Sequence, residues 1–183
     1  HLFSSAASDV YKRQIERLGD GSLDIGFSGY DLLKESELNI QNKVIINKKL
    51  DYGNATLVVA VPDEWIDVQT LADLEEISFD FKDNKKSRLR VATKYPNLTK
   101  EFLFSKGVTE FKLVPSLGAT EVYPFTGSSE ILTDITSTGE TLKANNLRIL
   151  NDGNILKSTA ILMSNKKSSN QIGLKKILNL LSS

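Results

Sequence analysis

Apolar residues fall into short runs separated by turn residues, and the period of the runs changes along the chain. Leu23-Asp24-Ile25-Gly26-Phe27-Ser28 alternates apolar with small or polar residues, the period of a strand. Gly29-Tyr30-Asp31 then turns into Leu32-Leu33-Lys34-Glu35, a helix start. Val44-Ile45-Ile46 and Leu57-Val58-Val59-Ala60-Val61 are continuous runs rich in β-branched residues, which suit strands buried on both faces. Thr70 is placed to cap a helix beginning Leu71-Ala72-Asp73-Leu74, with Asp67 and Asp73 favouring its N-terminal region. The charged stretch Lys82 to Arg88 breaks the pattern and predicts a solvated connection. Beyond it, Leu89 to Thr93 predicts a strand and Lys94-Tyr95-Pro96 a turn. Asn97 to Lys106 predicts a helix stopped by Gly107. Phe111 to Val114 and Ile131 to Ile135 predict two more strands, and a helix starts at Leu142. Ile155 to Met163 predicts a last strand. Leu174, Ile177, Leu178 and Leu181 lie at the spacing of a closing amphipathic helix.

Repeated strand-turn-helix units predict an α/β fold with mostly parallel sheets covered by helices. Sheets of this kind bind ligands at the carboxyl ends of their strands. That rule directs attention to Gly29, to Thr93 with Lys94, and to Thr136 through Thr141. No run approaches the roughly 18 apolar residues needed to span a bilayer.

Composition narrows the chemistry. The chain has 183 residues, enough for one large or two small domains, and 23 basic residues balance 23 acidic ones. Zero formal charge argues against a nucleic-acid wrapper or a polybasic membrane binder. There is no Cys, and the one His is His1. A Cys nucleophile, a Ser-His-Asp triad, a Cys/His zinc site and a disulfide scaffold are therefore excluded. Carboxylates, Lys and Arg, hydroxyls, backbone amides or a hard cation such as Mg²⁺ remain.

Asp134-Ile135-Thr136-Ser137-Thr138-Gly139-Glu140-Thr141-Leu142 is the segment richest in usable chemistry. An acid at a strand end leads into hydroxyls, a Gly and a helix start. A phosphate monoester needs converging amides, hydroxyl donors and a positive helix N-terminus. Gly139 permits close backbone approach, and Ser137, Thr138 and Thr141 can donate. Asp134 has the wrong sign for phosphate but suits sugar hydroxyls or Mg²⁺. The alternative is a helix start whose hydroxyls are used locally; spacing alone does not decide between them.

The first residues follow a different logic. Leu2 to Gln14 resembles a translated adapter sequence, so 1–14 is expected to be a non-native or disordered leader; a native amphipathic helix is the alternative.

Glu121, Gly127, Ser129, Asp134, Ile135, Thr138, Gly139, Thr141 and Leu142 together resemble the signature of the ATP phosphoribosyltransferase family. Leu132 stands where that pattern has Ile or Val. Gly21 to Asp31, Leu57 to Pro62, Val91 to Asn97 and Ser116 to Glu121 resemble further family blocks in the same order. The resemblance implies joining N1 of ATP to C1 of phosphoribosyl pyrophosphate, with release of pyrophosphate in the presence of Mg²⁺. It implies that Thr136, Ser137, Thr138, Gly139, Glu140 and Thr141 cradle the ribose 5-phosphate. Asp134, with Glu121, would face the ribose hydroxyls or Mg²⁺ and act as the catalytic acids. Gly29, Asp31, Thr93 and Lys94 could line the nucleotide side. A tight turn with a helix cap (Gly29, Asp31) and a solvated Lys (Lys94) are the alternatives. Family members often carry Arg where this chain has Tyr30. Trp65 reads as a packing or rim residue rather than an adenine stacker.

The same resemblance implies two lobes around a cleft, like type II periplasmic binding proteins. Residues 15–90 plus 161–183 are expected in the first lobe and 91–160 in the second. Set beside family members, the chain would lack a first strand and a cationic turn, roughly 45 residues by the size of a strand-helix-strand unit. Taken alone it is then expected to be inactive or marginally folded. Set beside the long form, the chain would leave no room for its regulatory domain. This implies the short, cytoplasmic form, a homo-oligomer working with a regulatory subunit resembling histidyl-tRNA synthetase. The rival reading is a binding protein of the same architecture that closes on a small anion without chemistry.

Overall fold

The computed structural model describes residues 5–182. The chain divides into two units, one built from residues up to Asn54 plus those from Ser158 onward, the other from Ala55–Lys157. The first unit opens with α1 (Ser5–Asp20), β1 (Ile25–Gly29), α2 (Tyr30–Glu35), α3 (Leu38–Gln41) and β2 (Val44–Lys49). The second contains β3 (Ala55–Pro62), α4 (Leu71–Asp83), β4 (Leu89–Thr93), α5 (Pro96–Ser105) and β5 (Phe111–Pro115). A 3₁₀ helix (Thr120–Thr126), β6 (Ile131–Thr136), α6 (Glu140–Ala144) and β7 (Leu147–Ser158) complete it. The chain then returns to the first unit as β8 (Ala160–Asn165) and α7 (Ile172–Ser182).

In the first unit the strand order is β1-β8-β2, and β8 pairs antiparallel with both neighbours. Because β1 and β2 each oppose β8, they run parallel to one another, as strands linked through helices should. Ile15 and Leu18 of α1 are buried, and Gln14 Oε1 accepts the Phe27 N–H at 3.3 Å. Leu174 and Leu178 of α7 pack with Leu162 and Ile25.

The second unit's sheet has the order β5-β4-β6-β3-β7. Pairs β4–β5 and β4–β6 are parallel, whereas β3–β6 is antiparallel. Val59, Val61, Val91 and Ile131 pack one face against Leu71, Leu74 and Phe81 of α4 and Leu103 of α5. Val58, Ala60, Ala92 and Leu132 pack the other face with Leu142 of α6 and Tyr123 of the 3₁₀ helix. Alternate residues of β6 thus serve different layers. The predicted start of α4 is present as a capping box: Thr70 N–H donates to Asp73 Oδ2 at 2.7 Å, and Thr70 Oγ1 accepts the Asp73 N–H.

Several expectations are corrected. The sheets are mixed rather than mostly parallel: β8 lies antiparallel to β1 and β2, and β3 lies antiparallel to β6. The division falls after Asn54 instead of near residue 90: β3 pairs with β6 and α4 belongs to the second core. The return crossing falls after Lys157 rather than at 160, and Ile155–Met163 is split between β7 and β8. Lys82 and Asp83 extend α4, with Lys82 Nζ 2.7 Å from Glu110 Oε1. Residues 5–14 form the first turns of α1 rather than the disordered leader that was one expectation; residues 1–4 lie outside the described residues.

Candidate functional site

Asp134 lies two residues from the end of β6 and shares its sheet face with Leu132, the layer covered by α6 and the 3₁₀ helix. Its carboxylate is half-buried, and Oδ1 accepts the Ile135 N–H at 2.9 Å. Burial pushes the carboxyl up to about 6, and the Glu121 charge adds to the rise. The Ile135 N–H and the Lys94 ammonium pull the other way, less strongly. Glu121, from the 3₁₀ helix, and Lys94, just past β4, therefore both act electrostatically on Asp134.

The hydroxyl segment forms a compact turn after β6. Gly139 N–H donates to Thr136 Oγ1 at 2.8 Å, and Glu140 N–H donates to Thr138 Oγ1 at 3.3 Å. Gly139 has φ +78°, the left-handed region that other residues enter at a cost. A Cβ there would meet only Ile149 Cδ1 at 3.6 Å, so backbone conformation rather than space selects glycine. Ser137, Thr138, Glu140 and Thr141 are exposed beside this turn. Glu140 heads α6 and offers its backbone to the turn; its carboxylate has the wrong sign for an anion.

The other predicted residues are distributed differently. Thr93 is buried, and its hydroxyl accepts the Tyr95 N–H at 2.9 Å, so it serves the turn from inside. Gly29 and Asp31 belong to the first unit. Asp31 is 4% exposed, its N–H donates to Ser158 Oγ at 3.0 Å, and its carboxylate accepts the Ser158 hydroxyl. A Cβ on Gly29 would collide with the Asp31 carboxylate. These two residues build the start of α2, the tight-turn alternative. Trp65 packs on the second core, 6.3 Å from the Phe81 ring. Sequence reading missed Thr99 and Thr133, which hydrogen-bond with Thr93. A hydroxyl inside the apolar run Ile131-Leu132-Thr133 was their only signal.

The donor set bears on a metal. Among the described residues no three His, Cys, Asp or Glu side chains converge as a metal cage. Mg²⁺ characteristically takes one or two protein carboxylates and completes its shell with water and substrate phosphates. Asp134 and Glu121 fit that mode and do not fit a dedicated cage.

Comparison with known proteins gives a consistent picture. The family model described as ATP phosphoribosyltransferase matches residues 13–183. An ATP phosphoribosyltransferase from Brucella melitensis is 46% identical over 168 residues, covering 91% of this chain and 71% of the relative. The solved ATP phosphoribosyl transferase (HisG:HisZ) complex from Thermotoga maritima is similar with a TM-score of 0.70 and 27% identity, covering 94% of this chain and 73% of that one. A probable amino-acid ABC transporter extracellular-binding protein from Bacillus subtilis aligns over 94% of this chain and 69% of its own, with a TM-score of 0.56 and 16% identity. That last likeness shows the fold alone, the two-lobed α/β architecture expected from sequence.

Proposed function

The chain belongs to the ATP phosphoribosyltransferase family, and from that premise we propose how its own residues carry the reaction. The reaction is the first step of histidine biosynthesis: N1 of ATP attacks C1 of phosphoribosyl pyrophosphate and pyrophosphate leaves. Positive charge develops on the ribose as the C1–O bond breaks. Such a reaction needs positioning and charge stabilisation more than a strong nucleophile.

Asp134 supplies the charge that matters most. Above pH 6 it is ionised, accepts hydrogen bonds from the ribose hydroxyls and stabilises the adjacent sugar cation. Glu121 reinforces it as the second acid. Lys94 neutralises phosphate charge on the same side. The Thr136 to Thr141 turn receives the 5-phosphate through the hydroxyls of Ser137, Thr138 and Thr141, while Gly139 lets the backbone approach. The phosphate displaces the long Glu140-to-Thr138 bond, which frees that amide to donate. Asp134, with Glu121, would hold Mg²⁺, which when bound offsets the charge of the pyrophosphate. Gly29 and Asp31 shape the nucleotide side indirectly, through the start of α2.

The observation that carries this reading is the placement of Asp134 ahead of a hydroxyl turn closed by a left-handed glycine. The Thermotoga maritima neighbour is a HisG:HisZ complex, which supports a partner subunit of that kind for this chain; that the chain forms a homo-oligomer, with a regulatory subunit resembling histidyl-tRNA synthetase, rests on the sequence resemblance. A cytoplasmic location goes with that role; among the described residues no helix is long and apolar enough to cross a membrane.

Calorimetric titration with phosphoribosyl pyrophosphate and Mg²⁺ tests the site. Thr141→Val keeps the side-chain shape but removes one donor, so affinity should fall about tenfold. Turnover of the assembled enzyme to phosphoribosyl-ATP should fall with it. Parental affinity in Thr141→Val would remove the turn from the phosphate site, and binding of a small anion with no turnover would favour the binding-protein reading.

A further inference from the structure

Three threonines meet in the layer beneath the site. Thr93 ends β4, Thr133 lies opposite it in the parallel register with β6, and Thr99 projects from α5. All three are buried, at 2%, 0% and 0% exposure. Thr133 Oγ1 donates to Thr93 Oγ1 at 2.6 Å; Thr93 and Thr99 are 3.0 Å apart, and Thr99 and Thr133 2.8 Å. Donation can run one way around this ring, so each hydroxyl donates once and accepts once, and Thr93 accepts the Tyr95 N–H as well. Valine has the same shape and would pack against the surrounding Val91, Ile131 and Leu103 with no polar group to satisfy. Packing holds elements together without direction, whereas a closed hydroxyl ring is satisfied in only one mutual arrangement of its members.

What the ring fixes is adjacent to the chemistry. Lys94 follows Thr93 at the end of β4, and Asp134 follows Thr133 within β6, so the ring sets the stretches of both strands that carry the two charged groups. Tyr95 N–H ties the turn carrying Lys94 to the same point. We propose that Thr93, Thr99 and Thr133 are positioning residues whose hydroxyl ring holds Lys94 in register with Asp134 for binding phosphoribosyl pyrophosphate. This rests on the phosphoribosyl reading of Asp134 and its turn. The rival account is a satisfied cluster that only adds stability.

Thr99→Val distinguishes the two, because Thr99 lies on α5 and neither precedes nor follows a site residue. Its affinity for phosphoribosyl pyrophosphate with Mg²⁺, titrated well below the melting temperature, should fall about tenfold. Thr99→Ser, which keeps the hydroxyl, should restore parental affinity. Leu103→Val, on the same helix and fully buried, removes a methylene without touching the ring. It should lower the melting temperature and leave affinity within about twofold of the parent. Parental affinity in Thr99→Val, or an equal loss in Leu103→Val, would overturn the proposal. If Thr99→Val does not fold, the test passes to Thr99→Ser: parental affinity supports the ring and a tenfold loss overturns it. Should Thr141→Val also bind normally, the fault lies with the phosphoribosyl reading; if Thr141→Val loses affinity while Thr99→Val does not, only the ring fails.

Discussion

Replacing Asp134 with asparagine should make the second unit more stable at neutral pH while weakening the site. A carboxyl that titrates near 6 in the folded chain and near 3.8 in the unfolded chain carries an ionised form that burial disfavours. The folded-state value is raised, so the folded chain binds this proton more tightly. The penalty is absent below the unfolded value, grows as pH climbs from 3.8 to about 6, and is complete above that. Its full size is about 3 kcal/mol, from the separation of the two titrations at 1.36 kcal/mol per tenfold. At pH 4.5 the same linkage leaves about 1 kcal/mol. Asparagine fills the same space, and its Oδ1 can still accept the Ile135 N–H. It loses the attraction of Lys94, the smaller opposing effect.

Urea denaturation followed by tryptophan fluorescence measures this difference. Trp65 is the chain's one tryptophan and packs on the core of the unit that contains Asp134, so its signal reports that unit. Asp134→Asn should gain stability at pH 8 by about 3 kcal/mol and at pH 4.5 by about 1 kcal/mol, and other titrating groups cancel in the comparison. Affinity for phosphoribosyl pyrophosphate with Mg²⁺ should fall in the same variant, the trade expected where a site keeps a disfavoured charge for function. A gain of equal size at both pH values, or a loss at pH 8, would refute the assignment of a raised carboxyl.

Two glycines make further predictions. Gly139→Ala must hold an L side chain at φ +78°, which costs about 1–2 kcal/mol, and should weaken phosphoribosyl pyrophosphate binding in titration. Gly118→Ala, whose new methyl meets nothing within 4 Å, is the control and should change neither quantity. Gly29→Ala drives a methyl into the Asp31 carboxylate, which is already committed to Ser158. It should lower the unfolding free energy by about 1–3 kcal/mol for an overpacked site, read as a lower urea midpoint by circular dichroism. A parental midpoint would mean that Asp31 moves aside freely.

Elements marked by a local signal, an apolar run or a cap, were legible in the sequence. Leu89–Thr93 is a strand at the predicted bounds, and Thr70 caps α4 as its spacing predicts. The helix before Gly107 is present, with that glycine at φ +86°. The misreading of strand direction has one cause. Parallel pairing was inferred from strands that follow one another through helices, and it holds for β4 with β5. It fails for β3 and β8, whose partners come from distant parts of the chain and whose direction no local pattern encodes. The part of β7 before Ile155 went unrecognised for a different reason: its burial follows no period of two. Arg148 and Asp152 interrupt it, and they are spent on backbone groups of other segments: Arg148 donates to the Val68 carbonyl at 2.5 Å, and Asp152 accepts the Leu71 N–H at 2.9 Å.

The candidate site shows the same division between local and tertiary information. Hydroxyls, glycine and an acid in one segment can be read directly, because the turn they form is local: its two hydrogen bonds span three and two residues. The environment of Asp134 cannot be read that way. Its carboxyl is raised by the layer of side chains packed over it, and its charged neighbours come from 13 and 40 positions earlier in the chain, at Glu121 and Lys94. The threonine ring is hidden for the same reason, since Thr93 and Thr133 meet across a strand pair formed only on folding. A chain without Cys, and with His only at position 1, thus obtains a tunable group by burial rather than by residue type. The carboxyl proposed for the site is one whose charge the fold makes costly, and the cation that partly offsets it stands just past the neighbouring strand.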